Sequence, residues 1–180
     1  MNTSAAEKRF DSLFNSHHDS VYRYCVRRLG LADAEDAAAD VFAVAWRRIE
    51  DVPSGDLTRA WLIGVAYKVV GNRCRARRRQ TRLWTRLLNV RDNRGDYHES
   101  REIPDAEIQR VHTALSELSI TDQELLRLSA WDGLSRVEIA RVLGISENAV
   151  DQRFHRARSR LRDRLGRPED NSRERREART

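Results

Sequence analysis

Long apolar runs are missing from this 180-residue sequence. No stretch approaches the ~20 consecutive apolar residues that a membrane-spanning helix needs, and no signal peptide opens the chain. Membrane insertion is excluded and a cytoplasmic location expected. Cysteine is scarce: Cys25 and Cys74 lie far apart and fit no metal-ligand spacing, so a disulfide-stapled scaffold is excluded and two reduced thiols are expected. No metal and no cofactor are expected. Lysine is nearly absent. Lys8 and Lys68 are the only two, and the other basic residues are arginine, which suits bidentate phosphate and base contacts; a skewed genome composition would give the same bias.

What the chain has in quantity is charge. Charged residues make up 34% and hydrophobic ones 39%, with a net charge of +6 and a pI near 10.0. That balance supports helical bundles with thin cores and points to an anionic partner. The distribution is sharper than the total. Residues 57–91 carry ten cations, Lys68 and nine arginines, and not one acid. A solvated protein face normally mixes signs, so this segment reads as a nucleic-acid footprint.

Residues 133–161 form the most patterned stretch. Ser135 and Glu138 are spaced as a capping box, and Val137, Ala140 and Leu143 supply an apolar stripe. Gly144 then offers a positive φ at a helix end, Ile145 is expected to be buried in the corner, and Ser146 to cap the next helix. In that helix Val150, Phe154, Ala157 and Leu161 share one narrow sector, opposite Asn148, Gln152, His155, Arg156 and Ser159. One face packs and the other is free to enter a major groove, the arrangement of a helix-turn-helix.

The rest of the chain also reads as helical, giving an all-α fold of two small helical domains. Residues 1–9 are a polar lead. From Phe10, the positions Leu13, Phe14, Val21, Tyr24, Cys25 and Leu29 follow helical spacing, with Gly30 as a C-cap. A second helix opens at Asp33. Within it Asp36 and Asp40 share a face, a pattern equally suited to solvated surface or to docking on a basic partner. Pro53, Ser54 and Gly55 mark a loop, followed by a helix that buries Leu62, Val65, Ala66 and Val69 and turns basic toward Arg79. Residues 81–106 read as a linker. Beyond it Ile108, Val111, Leu115 and Leu118 form a stripe, and Thr121 with Glu124 is a capping box for a helix running to Trp131. Residues 166–180 are charged and nearly without apolar side chains, the composition of a disordered tail. His17 and His18 read as surface residues, since no cysteine or acid is spaced to complete a metal site.

Four segments in this order, VYRYCVRRLG, DAEDAAADVFAVAW, RAWLIGVAYKVVGNRCRARRR, and ALSEL with the helix-turn-helix ending HRARSRLRDRL, give the chain a resemblance to the ECF (extracytoplasmic function) sigma factors of bacterial RNA polymerase. The resemblance implies that residues 10–80 are sigma region 2 and residues 107–165 region 4. It implies promoter DNA as partner, with core RNA polymerase contacted at the clamp of its largest subunit and the β-subunit flap, and possible control by an anti-sigma factor. Asp36 and Asp40 match the acidic positions that meet the clamp. The loop containing Ser54, Gly55 and Asp56 matches the one that captures a flipped -10 base. Trp61, Lys68, Asn72, Arg73 and Arg77 fall on the -10 helix. Asn148, Asp151, Gln152, Arg153, His155 and Arg156 match the positions facing the -35 element. Four positions depart from the pattern: Ala39 for glutamine, Lys68 for asparagine, Asn72 for aspartate, and Asp151 for lysine or arginine. The last is expected to weaken phosphate binding or to accept from a cytosine amino group.

Two other classes remain from the residues alone. A free-standing helix-turn-helix regulator accounts for residues 133–161 but leaves the acidic helix and the basic segment unused. A metal-dependent nuclease built on Asp33, Glu35, Asp36 and Asp40 lacks a further acid or histidine to close its site.

Overall fold

The computed structural model describes residues 3–88, 111 and 113–165. Regular structure among them is helical: α1 (Thr3–Leu29), α2 (Leu31–Arg47), α3 (Leu57–Leu88), α4 (Ile120–Ala130), α5 (Arg136–Leu143) and α6 (Glu147–Leu165). Two compact units form, one with α1–α3 and residues 137–145, the other with α4 and α6. The all-α expectation holds. The expected tail at 166–180 and the part of the expected linker beyond residue 88 lie outside the described residues.

In the first unit α1, α2 and α3 pack on one another pairwise. Helix α1 begins at Thr3, well ahead of Phe10, so residues 3–9 of the polar lead are helical. Arg9 shows why this end is held: its guanidinium donates to the Val52 carbonyl. Leu13, Val21, Tyr24 and Cys25 form the buried stripe of α1. The Arg28 guanidinium lies 3.6 Å from the Tyr24 ring centroid and Nη1 donates to the Tyr24 carbonyl at 3.4 Å. Gly30 is the whole connection to α2. It takes φ 82°, where a Cβ is penalised, and its N–H donates back to Val26 at 2.9 Å.

Helix α2 begins at Leu31, just before Asp33, and buries Ala34, Ala37, Ala38, Val41, Phe42 and Ala45. Four of those six are alanine, so its neighbours approach closely with little side-chain entropy lost. Helix α3 contributes Ala60, Leu62, Ile63, Ala66 and Val70, while Val65 and Val69, two of the expected core positions, are only half-buried. Burying a leucine or isoleucine stabilises by ~1.5–3 kcal/mol, so Leu62 and Ile63, both fully buried, are principal anchors. Helix α3 continues to Leu88, over the first eight residues of the expected linker.

In the second unit α4 packs on α6. Its cap is Ser119, whose hydroxyl accepts from the Asp122 N–H at 3.1 Å. The expected cap at Thr121 is therefore two residues late; an Asx/Ser-type oxygen satisfies the first free N–H wherever the chain enters the helix. Leu118, Leu125, Leu128 and Leu134 meet Val150, Phe154 and Ala157 as the buried apolar set. Gln123 is buried with its amide donating to Ser116 (3.2 Å) and Leu118 (3.0 Å) carbonyls, which satisfies backbone groups at the start of α4. Trp131, where this helix was expected to end, is its C-cap and is half exposed, with the Arg127 guanidinium 5.7 Å from its ring centroid.

In α5, Ile139, Ala140 and Val142 are buried, whereas Val137 is exposed and Leu143 half-buried. Helical phase, rather than apolar identity, decides this. The turn forms as expected. Gly144 takes φ 66°, the Ile145 N–H donates to Ala140 at 3.0 Å, and the Ser146 hydroxyl accepts from the Ala149 N–H at 3.2 Å. Ile145 is half-buried, not buried, in this corner.

Candidate nucleic-acid and protein interfaces

Residues expected on one DNA-binding helix divide between two faces. Trp61, Lys68 and Asn72 recur along α3 at spacings of seven and four, so they form one stripe at ~100° per residue. Arg75 and Arg79 extend it by three and four more. Lys68, Asn72, Arg75 and Arg79 are exposed and Trp61 is half-buried. The stripe is internally supported: Arg75 Nη2 donates to Asn72 Oδ1 at 2.5 Å, and the Arg48 guanidinium lies 5.8 Å from the Trp61 centroid. Arg75 and Arg79 belong to the basic segment read from the sequence as a nucleic-acid footprint, and their phase with Lys68 and Asn72 places them on this stripe.

Arg73 and Arg77 sit about a third of a turn or more away, on the face toward α2. Arg73 Nη2 donates to Asp40 Oδ2 at 2.5 Å, and Arg77 Nη1 lies 3.9 Å from Asp33 Oδ2. The pairing is antiparallel, the earlier aspartate matching the later arginine. The hydrogen bond to Asp40 raises the Arg73 pKa above its ordinary value, against burial and with the added attraction of Asp40, Asp36 and Asp33. Asp36 and Asp40 are both exposed. The acidic face of α2 therefore carries an ordered ion pair, with Asp40 held on the outer surface of the unit.

The loop between α2 and α3 is pinned at its edges and open at its tip. Arg48 Nε pairs with Asp51 Oδ2 at 2.9 Å. Buried Thr58 donates from Oγ1 to the Pro53 carbonyl at 2.7 Å and from its N–H to the Gly55 carbonyl at 3.0 Å. Ser54, Gly55 and Asp56 are all exposed. Such a frame presents a short polar tip with little ordering left to do on binding. Nearby, Arg59 Nε donates to Ser20 at 3.2 Å.

On α6, Asn148, Gln152 and His155 share the outward face, opposite the buried Val150, Phe154 and Ala157. Arg156 is exposed on one flank of that face and Asp151 on the other. Arg153 is half-buried beside the packed sector, turned farther from the centre of the outward face than either flank residue. Asp151 is paired: Arg136 Nη1 donates to its carboxylate. Farther along α6, Arg160 Nη1 lies 3.5 Å from Asp122 Oδ2, and Arg164 pairs with Glu117. The acids around α4 thus hold the C-terminal arginines of α6.

His17 and His18 are half-buried at the surface of the first unit. Burial and then the nearby Arg59 charge lower the His17 pKa. His18 stacks on Phe42 and on Tyr22, with centroids 6.0 Å apart in each case. Among the described residues no three His, Cys, Asp or Glu side chains are grouped to hold a metal ion, and no helix is long and apolar enough to cross a membrane.

Comparison with known proteins matches both units. Residues 13–80 match the family model for sigma-70 region 2, and residues 108–161 the model for sigma-70 region 4. The chain is 31% identical to the ECF RNA polymerase sigma factor SigL of Mycobacterium tuberculosis, over 84% of this chain and 85% of that one. It is 29% identical to the RNA polymerase sigma factor CnrH of Cupriavidus metallidurans, over 88% and 87%. Its fold is similar to that of the sigma factor RpoE solved with the anti-sigma factor NepR from Bartonella quintana. That match has a TM-score of 0.62 and 22% identity, over 88% of this chain and 97% of that one.

Proposed function

The chain belongs to the ECF group of the sigma-70 family, and from that membership we propose how its two units divide the work of an alternative sigma factor. It acts in transcription initiation. One observation carries this reading: both sigma regions occur on one chain, in order, with a cationic aromatic stripe in the first and an outward polar helix face in the second.

Asp36 and Asp40 on α2 dock on the clamp of core RNA polymerase. The exposed tip Ser54, Gly55 and Asp56 receives an unstacked base of the -10 element. Trp61 offers a stacking surface, worth ~1–3 kcal/mol per base. Lys68, Asn72 and the neighbouring arginines hold the adjacent backbone, displacing counterions. The α6 face reads the -35 element as duplex through Asn148, Gln152 and His155, with Arg156 on phosphate or a base edge. Each reader is weak by itself; polymerase fixes their separation and so raises the effective concentration of the second once the first is bound. The protein works in the cytoplasm, and an anti-sigma factor is its expected regulator.

A run-off assay tests this directly. Core polymerase is supplied with a genomic promoter library, with and without the full-length protein. Protein-dependent transcripts from a defined promoter class are expected. Identical transcripts in both reactions, with no co-elution of protein and core enzyme, would overturn the reading.

A further inference from the structure

The Arg136–Asp151 pair carries an assignment that α6 alone does not. Arg136 opens α5, and its guanidinium is held from two sides. One nitrogen donates to the Asp151 carboxylate, and the guanidinium carbon lies 5.0 Å from the Phe154 ring centroid. Phe154 is itself buried, so the ring is a fixed wall. Both charged side chains remain about half exposed, at 53% and 54%. A guanidinium has five N–H donors in one plane, and the Asp151 bond occupies one of them.

Asp151 flanks the outward face of α6 and does not sit at its centre. When a helix lies in the major groove, the flanks of its outward face approach the phosphate rows lining that groove. A bare carboxylate at that place repels phosphate. Here the carboxylate is occupied by a cation, and it fixes the direction of that cation. We propose that Arg136 is the phosphate-binding residue on this flank of the -35 reader, and that Asp151 is its positioning residue rather than a base-reading one. The assignment rests on the sigma-factor reading above. It gives Asp151 a favourable role where its charge alone suggests an unfavourable one. Preorganisation is the physical gain, because a guanidinium already held by a ring and a carboxylate loses little freedom when phosphate arrives.

The test uses holoenzyme assembled from core polymerase and full-length protein. The probe is a duplex that holoenzyme selects from a randomised library. Affinity is measured across a salt series for wild type, Arg136→Ala, Asp151→Ala, the exchanged pair Arg136→Asp with Asp151→Arg, and His155→Ala as a base-face control. Arg136→Ala should lose about tenfold in affinity, the size of one charge-assisted hydrogen bond, and lower the salt slope by about one. Asp151→Ala should lose less affinity while leaving the preferred sequence unchanged. The exchanged pair should recover most of the salt slope. Unaltered affinity and slope in Arg136→Ala, with His155→Ala impaired, would overturn the assignment while leaving the sigma reading intact. A change of preferred base with Asp151→Ala would also overturn it. If holoenzyme selects no duplex at all, the functional reading fails and this assignment fails with it.

Discussion

Arg73 donates to Asp40 at 2.5 Å, joining a residue of the basic helix to one on the acidic face of α2. The two side chains belong to surfaces with different proposed partners, core polymerase and DNA, yet they satisfy each other in the isolated protein. An exposed ion pair contributes only ~0–1 kcal/mol to stability, so its consequence lies in binding. Asp40→Asn should shift the urea midpoint by less than ~1 kcal/mol in free energy. It should weaken co-elution with core polymerase and strengthen binding of the free protein to a random-sequence duplex, because Arg73 is released. Fluorescence anisotropy and gel filtration measure the two. A parallel fall in both would contradict this account.

The α3 stripe and the α2-facing arginines differ in phase, and on the proposed reading they differ in function. Trp61→Ala and Lys68→Ala should reduce promoter opening, read as permanganate reactivity of unpaired thymines. The Trp61 change should cost ~1–3 kcal/mol if a base stacks there. Neither should alter core-polymerase affinity. Loss of polymerase binding in Lys68→Ala would assign that stripe to the wrong partner.

Ser119, rather than Thr121, starts α4. Ser119→Ala should destabilise the second unit by ~1 kcal/mol, the usual value of an N-cap. Thr121→Ala should cost markedly less. Denaturant unfolding of the two variants side by side decides between the positions.

Cys25 is fully buried, and burial pushes its thiol pKa up from 9.0 to about 11. The folded chain therefore holds this proton more tightly than the unfolded chain does. The contribution of this thiol to stability is constant well below pH 9 and is lost as pH rises from 9 toward 11, where the unfolded thiol ionises first. At pH 8 a disulfide reagent should modify half-exposed Cys74 rapidly and Cys25 only on unfolding. Cys25→Ser should remove part of the alkaline loss of stability. Equal labelling rates for the two thiols in the native protein would rule out this burial effect.

Leu62 is fully buried in the second turn of α3. Leu62→Ala should cost ~2–5 kcal/mol through lost transfer energy and the cavity left behind. Circular dichroism during thermal unfolding provides the measurement.

What the sequence made legible is mostly local. The Gly144 turn, the Ser146 cap and the packed and outward faces of α6 each depend on residues within a few positions, where periodicity and capping chemistry act. Helix starts were less legible. Thr3 and Ser119 begin helices earlier than the apolar pattern does, because a polar turn is helical once a cap or a tertiary bond such as Arg9 to Val52 holds it. The ion pairs were not legible at all. Asp40 and Arg73 are 33 residues apart, and Asp151 is joined to Arg136 across 15. Only a packed backbone shows that two of the expected DNA contacts face an acidic helix.

The single-residue joint at Gly30 has a further consequence for how this scaffold tolerates change. With no loop between α1 and α2, an inserted residue has nowhere to go. If it extended α2, it would turn that helix by ~100° about its axis. The buried alanines would then swing outward and the carboxylates inward. Substitutions on the α2 surface leave this phase untouched, whereas one added codon would scramble it. Chain length at the joint is thus a stricter requirement than the identity of any single surface carboxylate.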